Sequence, residues 1–219
     1  MNTNITSEVE CKYKINSLAD YHQVLEYLKN SYSLQACQKL TNYLLDTTGF
    51  KLRERKLILR MRISPEQNLI SLKGKNQIID GLNFARRIEI EFSIEREDVE
   101  KVKKRGIYLS DLSEDIKKYL INEFKTADMY FVIWGNYKVN RQVFDYKNIA
   151  QICLDEVFYP DLIDYELELE LYAGQKVENA DNLVVQLEKH PNFKLQPSHT
   201  TKSELLQKLI KQQDNLKEK

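Results

Sequence analysis

Two stretches near opposite ends of the chain alternate charged and apolar residues: Glu8-Val9-Glu10-Cys11-Lys12 and Asp164-Tyr165-Glu166-Leu167-Glu168-Leu169-Glu170. A period of two is that of a β-strand, and it puts every charge on one face and every apolar side chain on the other. Similar patterns predict strands over residues 5–15, 35–46, 57–63, 69–75, 85–93, 129–134, 137–145, 150–157 and 164–172. Leu18, Tyr21, Leu25 and Leu28 fall at helical spacing and predict a helix from Leu18 to Asn30, with Ser17 as its N-cap. Two more helices are expected over 96–125, broken near Gly106, and others over 176–189 and 203–217. About eight or nine strands joined mostly by short turns favour an antiparallel sheet or barrel. Six Gly and four Pro leave no obvious linker, so residues 1–219 read as one continuous domain, with a helical insertion near 96–125 and a helical tail near 203–217.

The polar faces are charged to an unusual degree. They carry Glu8, Glu10 and Lys12; Arg60 and Arg62; Ser71, Lys73 and Lys75; Arg87, Glu89 and Glu91; then Arg141, Asp155, and Glu166, Glu168 and Glu170. A half-buried antiparallel sheet also alternates polar-out and apolar-in. A solvated face would contain more Thr, Ser, Gln and Asn, and here the signs segregate, with acids on the terminal strands and bases between them. A closed barrel with its charged face inward and its apolar face covered by helices accounts for both. Such an interior suits polyphosphate: arginine forks match phosphate oxygens, and carboxylates hold a hard divalent cation such as Mg²⁺ or Mn²⁺.

Composition narrows the choice. The 33 basic and 33 acidic residues cancel, so no global field draws the chain to nucleic acid or membrane, and neither is an expected partner. Cys11, Cys37 and Cys153 are scattered, with no CxxC spacing, as in a reduced, cytoplasmic chain. Cys11 should face away from the acidic row and Cys153 should share a face with Asp155, both in structural roles. His22, His190 and His199 lie too far apart in sequence to suggest a triad or zinc site. Polar residues follow Met1, with no signal-peptide pattern, and no apolar run is long enough to cross a membrane.

In order along the chain, these segments resemble the motifs of the CYTH superfamily, the triphosphate tunnel metalloenzymes. Glu8-Val9-Glu10-Cys11-Lys12 is similar to ExExK, Tyr43-Leu44-Leu45-Asp46-Thr47 to YxxDT, and Leu59-Arg60-Met61-Arg62 to LRxR. Ser71-Leu72-Lys73-Gly74-Lys75 resembles tLKgk, and Arg87-Ile88-Glu89-Ile90-Glu91 resembles RxExE. Cys153-Leu154-Asp155 resembles the LD strand, Asp164 to Glu170 the ELExE strand, and Thr201-Lys202-Ser203 the late SK motif. The resemblance spans roughly residues 6–205. It implies an α+β fold: an eight-stranded antiparallel closed β-barrel, or tunnel, with peripheral helices. By position it implies that Arg60, Arg62, Lys73, Lys75, Arg87, Arg141 and Lys202 hold phosphate, and that Glu8, Glu10, Asp155, Glu166 and Glu168 hold Mg²⁺ or Mn²⁺. Lys12 would act with Glu8 and Glu10 near the terminal phosphate and attacking water, and Glu89 and Glu91 would orient the basic residues or help to hold metal. Val139 and Val143 flank Arg141 where the family often places another base.

The expected activity is divalent-metal-dependent hydrolysis of a small-molecule triphosphate, inorganic tripolyphosphate or an organic compound such as thiamine triphosphate. A class IV-like adenylate cyclase and a non-catalytic polyphosphate-binding module are the alternatives. Trp134 is expected in the core or on the barrel exterior. The terminal helix, with Leu205, Leu206, Leu209 and Ile210, can plug a tunnel end, pack on its own barrel, which is the default, or meet a second subunit. A monomer and a homodimer are both compatible with the sequence.

Overall fold

The computed structural model describes residues 3–79 and 83–217, with side chains to residue 214. Its elements in chain order are β1 (Thr3–Ile15), α1 (Leu18–Ser31), β2 (Ser33–Asp46), α2 (Lys51–Glu54), β3 (Ile58–Ile63), β4 (Asn68–Lys73), β5 (Gln77–Ile78) and β6 (Phe84–Ser93). They continue with α3 (Arg96–Arg105), β7 (Ile107–Tyr108), α4 (Glu114–Phe124), β8 (Tyr130–Tyr146), β9 (Ala150–Tyr159), β10 (Leu162–Leu171), α5 (Asp181–Glu188), β11 (Leu195–Pro197) and α6 (Lys202–Lys217).

Eight strands close on themselves in the order β1-β10-β9-β8-β2-β3-β4-β6, and β6 pairs back to β1. Every pairing is antiparallel. Directly opposed residues in such pairs point to the same face, so the register assembles the charges. Glu8 lies opposite Arg87, Lys12 opposite Glu168, Lys73 opposite Glu89, and Arg141 opposite Asp155. A slip of one residue on any strand would send its charges outward.

The outward apolar faces are covered by helices. Tyr13, Ile15, Leu154, Leu167 and Leu169 pack with Val24 and Leu28 of α1 and with Leu183 and Leu187 of α5. Leu59, Met61, Ile70, Leu72, Ile90 and Phe92 pack with Val99 and Val102 of α3 and Ile116 and Leu120 of α4. Each such side chain contributes about 1.5–3 kcal/mol when fully buried, which sets the favourable term against the charged interior. Ser17 Oγ accepts from Asp20 N at 3.1 Å and caps α1 as expected.

The two strands expected over 129–134 and 137–145 are one, β8. Leu44 pairs with Gly135 and Leu45 with Ile133, so Trp134 is the extra residue of a bulge. Before it, Phe131 and Ile133 join the outer cluster; after it, Tyr137 and Val139 join a cluster on the inner face. The bulge inverts the phase of the alternation, which is why the sequence reads as two strands. Trp134 itself is half-buried, with the Arg53 guanidinium 3.9 Å above its ring.

Helix α6 plugs one end of the barrel. Leu206 is 1% exposed and packs with the inward-facing Leu40, Leu44, Tyr137, Val139, Val157 and Tyr159. Gly135 makes room for it: a Cβ there would lie 2.8 Å from Leu206 Cδ2. Among the described residues, no helix is long and apolar enough to cross a membrane.

Candidate active site

The barrel encloses a cavity of about 200 Å³. Most of the charged positions read from the sequence line it; Glu10 and Glu166 pair with its lining residues Arg87 and Lys202, and Lys75 lies apart. Strand β4 ends at Lys73, and Gly74 N donates to Ile88 O at 2.8 Å. The alternation stops there, so Lys75 turns outward and pairs with Glu123 of α4 at 2.7 Å. Lys75 is therefore outside the tunnel, contrary to its expected phosphate-holding place.

Inside, cations and carboxylates interleave. Lys73 Nζ lies 2.9 Å from Glu8 Oε2 and 3.2 Å from Glu89 Oε2. Arg87 reaches Glu8 Oε2 at 2.6 Å and Glu10 Oε1 at 2.7 Å. Arg60 pairs with Glu89 at 3.0 Å, and Arg141 forks onto Asp155 with two bonds of 2.8 Å. Arg141 also contacts Glu168, and it reaches Glu170 at 3.2 Å. Lys12 sits 2.9 Å from Glu168 and 3.3 Å from Glu10. Glu91 lines the cavity beside these groups, and burial raises its pKa.

Arg62 differs from the other bases. It donates to Asn42 Oδ1 at 3.2 Å, and it forms no ion pair among the described residues. Burial, reinforced by the like charges of Arg60 and Arg141, pulls its pKa down to about 10. A guanidinium in that position is under-compensated and favours an anion in the cavity. Asn42 was not singled out from the sequence; its one signal is a polar residue at an inward position between Leu40 and Leu44.

Glu8, Glu10 and Glu170 form a carboxylate cluster, each offering an oxygen within 4.8 Å of the others. Glu10 Oε2 is buried and has no hydrogen-bond partner among the described residues. Burial opposes ionisation of Glu8, but Lys73 and Arg87 hold its pKa well below the usual carboxylate range. Burial pushes Glu170 up to about 7; Arg141 opposes the rise, and the charges of Glu8, Glu168 and Glu10 add to it. Three acids with an orphaned oxygen and one raised pKa fit a divalent cation, and an all-oxygen set suits Mg²⁺ or Mn²⁺. Glu170 was not assigned a ligand role from the sequence, although its parity with Glu166 and Glu168 places it on the same face.

The other expected metal ligands meet a different neighbour. Asp155, Glu166 and Glu168 surround Lys202 Nζ at 3.0, 2.5 and 2.7 Å. Lys202 arrives on the first turn of α6. Thr201 Oγ1 accepts from Glu204 N at 3.1 Å, and Glu204 Oε2 accepts from Thr201 N at 2.8 Å. This capping box is the structural content of the Thr201-Lys202-Ser203 motif. The Tyr43–Thr47 motif is likewise structural at Asp46, whose carboxylate accepts from the backbone N of Thr47, Leu52 and Arg53. Cys11 faces the outer core and Cys153 lies buried beside Arg141, with burial raising both thiol pKa values far above the ordinary range. Neither thiol is poised to ionise.

Comparison with solved structures gives the same architecture. HpAC1 from Hippeastrum, an adenylyl cyclase candidate described as having a dominant triphosphatase activity, superposes with a TM-score of 0.78 at 20% identity, covering 92% of this chain and 95% of its own. An adenylate cyclase candidate from Bacillus halodurans gives 0.70 at 17% identity over 90% and 96% of the two chains. The Mimivirus capping enzyme triphosphatase gives 0.53 at 12% identity over 82% and 87%. No curated protein matches in sequence. The CYTH domain profile matches residues 6–197, most of the barrel and its helices, and the chain belongs to the CYTH domain family.

Proposed function

We propose that this protein is a divalent-metal-dependent hydrolase of triphosphate compounds. The observation that carries the reading is the division of the tunnel wall: the under-compensated Arg62, with Arg60 and Arg141, shares one cavity with Glu8 and Glu170 of the carboxylate cluster that Glu10 completes. A polyanion and a divalent cation together satisfy both. The cavity is smaller than the roughly 300–1,000 Å³ clefts of drug-sized ligands, which suits a compact phosphate chain.

Glu8, Glu10 and Glu170 would hold the cation, which supplies Lewis-acid stabilisation of charge on phosphoryl oxygens. Arg60, Arg62, Lys73, Arg87 and Arg141 hold and orient the phosphate chain, all but Arg62 exchanging carboxylate partners for phosphate oxygens. Glu89 keeps Arg60 and Lys73 extended into the tunnel. Lys12, beside Glu10 and Glu168, orients the attacking water. Catalysis of this kind rests on positioning and electrostatics and needs no nucleophilic side chain.

An organic triphosphate is favoured as a further substrate by a second hollow of about 370 Å³, lined in part by Leu57, Trp134 and His199. It shares Ile58, Arg87, Thr201 and Ser203 with the tunnel, so a ring attached to the phosphates has space beside it.

The test is to incubate purified protein with tripolyphosphate, ATP or thiamine triphosphate, each with Mg²⁺, Mn²⁺ or Ca²⁺. Phosphate, pyrophosphate and cyclic AMP are scored beside a Glu8→Gln/Glu10→Gln variant. Metal-dependent phosphate release that falls more than about 100-fold in the variant supports the hydrolase; even outer-shell changes at metal sites cost roughly 10–100-fold. Cyclic AMP with pyrophosphate would replace it with the cyclase. No metal-dependent turnover of any substrate would leave a binding module.

A further inference from the structure

The tunnel contains a second set of carboxylates, and its occupant comes from the chain itself. Lys202 Nζ lies within 3.0 Å of oxygens on Asp155, Glu166 and Glu168. An ammonium group has three donors; Glu166 and Glu168 accept two of them at 2.5 and 2.7 Å, and Asp155 is an ion-pair neighbour at 3.0 Å. Lys202 as seated is turned toward these acids, two of its donors being held by Glu166 and Glu168, which departs from its expected substrate-holding place. Asp155 is 0% exposed, and the Glu166, Glu168 and Lys202 side chains are 10%, 4% and 9% exposed. Water therefore does little to screen the three negative charges.

The seating is fixed from outside the cluster. The Thr201–Glu204 capping box sets the first turn of α6. One turn further, Leu206 fills the apolar end of the barrel against Leu44 and Tyr137, where Gly135 permits the approach. Tyr159 Oη donates to Lys202 O at 3.3 Å and ties the backbone of the same residue to β9. The ammonium is thus delivered by packing and capping that are independent of any ligand.

We propose that Lys202 is a tethered cation that fills the Asp155–Glu166–Glu168 set, so the tunnel takes one divalent cation, at Glu8–Glu10–Glu170, rather than two. The inference rests on the metal-dependent reading above and deepens it. Activation of water then falls to a carboxylate with Lys12 and not to a second metal. The sequence presents five acids as one metal-binding group; the fold divides them and gives one part a lysine.

The experiment counts bound Mn²⁺ by electron paramagnetic resonance during titration of the whole chain. The unmodified protein binds one ion, Lys202→Met binds two, and Lys202→Met/Glu170→Gln returns to one. Two ions in the unmodified protein, or one in folded Lys202→Met, overturns the proposal. If the unmodified protein binds none and Lys202→Met binds one, the Glu8–Glu10–Glu170 site fails while the filling role of Lys202 stands. Circular dichroism follows folding, because Lys202→Met leaves buried Glu166 without its ion-pair partner, and Asp155 and Glu168 with Arg141 and Lys12 alone. If that variant unfolds without metal, Mn²⁺ restores it. If Mn²⁺ does not restore it, Glu166→Gln/Lys202→Met, with one charge fewer, is titrated instead, and a single bound ion there overturns the proposal.

Discussion

The two acid groups of the tunnel are built from the same side chains on neighbouring strands, yet they meet opposite surroundings. Asp155, Glu166 and Glu168 enclose the ammonium of Lys202. Glu8, Glu10 and Glu170 are flanked by Lys73, Arg87 and Arg141, but Glu10 Oε2 has no hydrogen-bond partner among the described residues. The first group holds a cation at its centre, with Arg141 and Lys12 beside it, whereas the second keeps a buried carboxylate oxygen without a hydrogen-bond partner. Residue type does not separate them. What does is which group the first turn of α6 can reach.

The comparison breaks most severely at Arg87, which serves Glu8 and Glu10 together while 5% exposed. Arg87→Met leaves both carboxylates without that partner, and removing one member of a buried ion pair costs about 3–5 kcal/mol. Urea denaturation of the metal-free variant should show this loss, and saturating Mn²⁺ should recover part of it. A loss below about 1 kcal/mol would mean that the second group is already satisfied without Arg87.

A smaller effect sharpens the same contrast through pH. Glu170 ionises at about 7 in the folded protein against 4.5 ordinarily. The folded state therefore binds the extra proton between these values, and metal-free stability falls as pH rises from about 4.5 to 7. The contribution is at most about 3 kcal/mol, reduced because the side chain is 24% exposed. Glu8, held low by Lys73 and Arg87, acts in the opposite direction and in a lower window, its stabilisation being lost as pH falls below about 4.5. Thermal melts across this range should show a shallower decline for Glu170→Gln. An unchanged slope would place the excess negative charge elsewhere.

The smallest effect is expected at Lys75, which belongs to neither group. Its pair with Glu123 is exposed, and Lys75→Ala should change stability by less than about 0.5 kcal/mol. KM for tripolyphosphate should also be unchanged. A large rise in KM would return Lys75 to the tunnel.

Much of the barrel was legible because strand alternation is a local property. The apolar partners of the charged rows, such as Leu167 and Leu169 or Ile90 and Phe92, are buried under helices as the period required. The pattern failed where the backbone changed phase. Trp134 bulges and joins two apparent strands into one, and Gly74 ends β4 and turns Lys75 outward. Both are single-residue events that a period of two does not encode. The one-turn helix α2 and the short strand β11 were not anticipated, since two to four residues carry too little periodicity to register.

Within the site, the sequence by itself determined which residues share a face, because side-chain direction along a strand follows from chain chemistry alone. It therefore placed Glu8, Glu10, Arg60, Arg62, Arg87 and Asp155 on tunnel-facing rows before any distance was known. Only the tertiary structure decided who pairs with whom. Strand register brought Glu170 opposite Glu10, and α6 carried Lys202 to Glu166 across 36 residues of chain. The reason is physical: facing is set by local torsion angles, whereas electrostatic pairing is set by distances that exist only once the barrel has closed and its end is plugged.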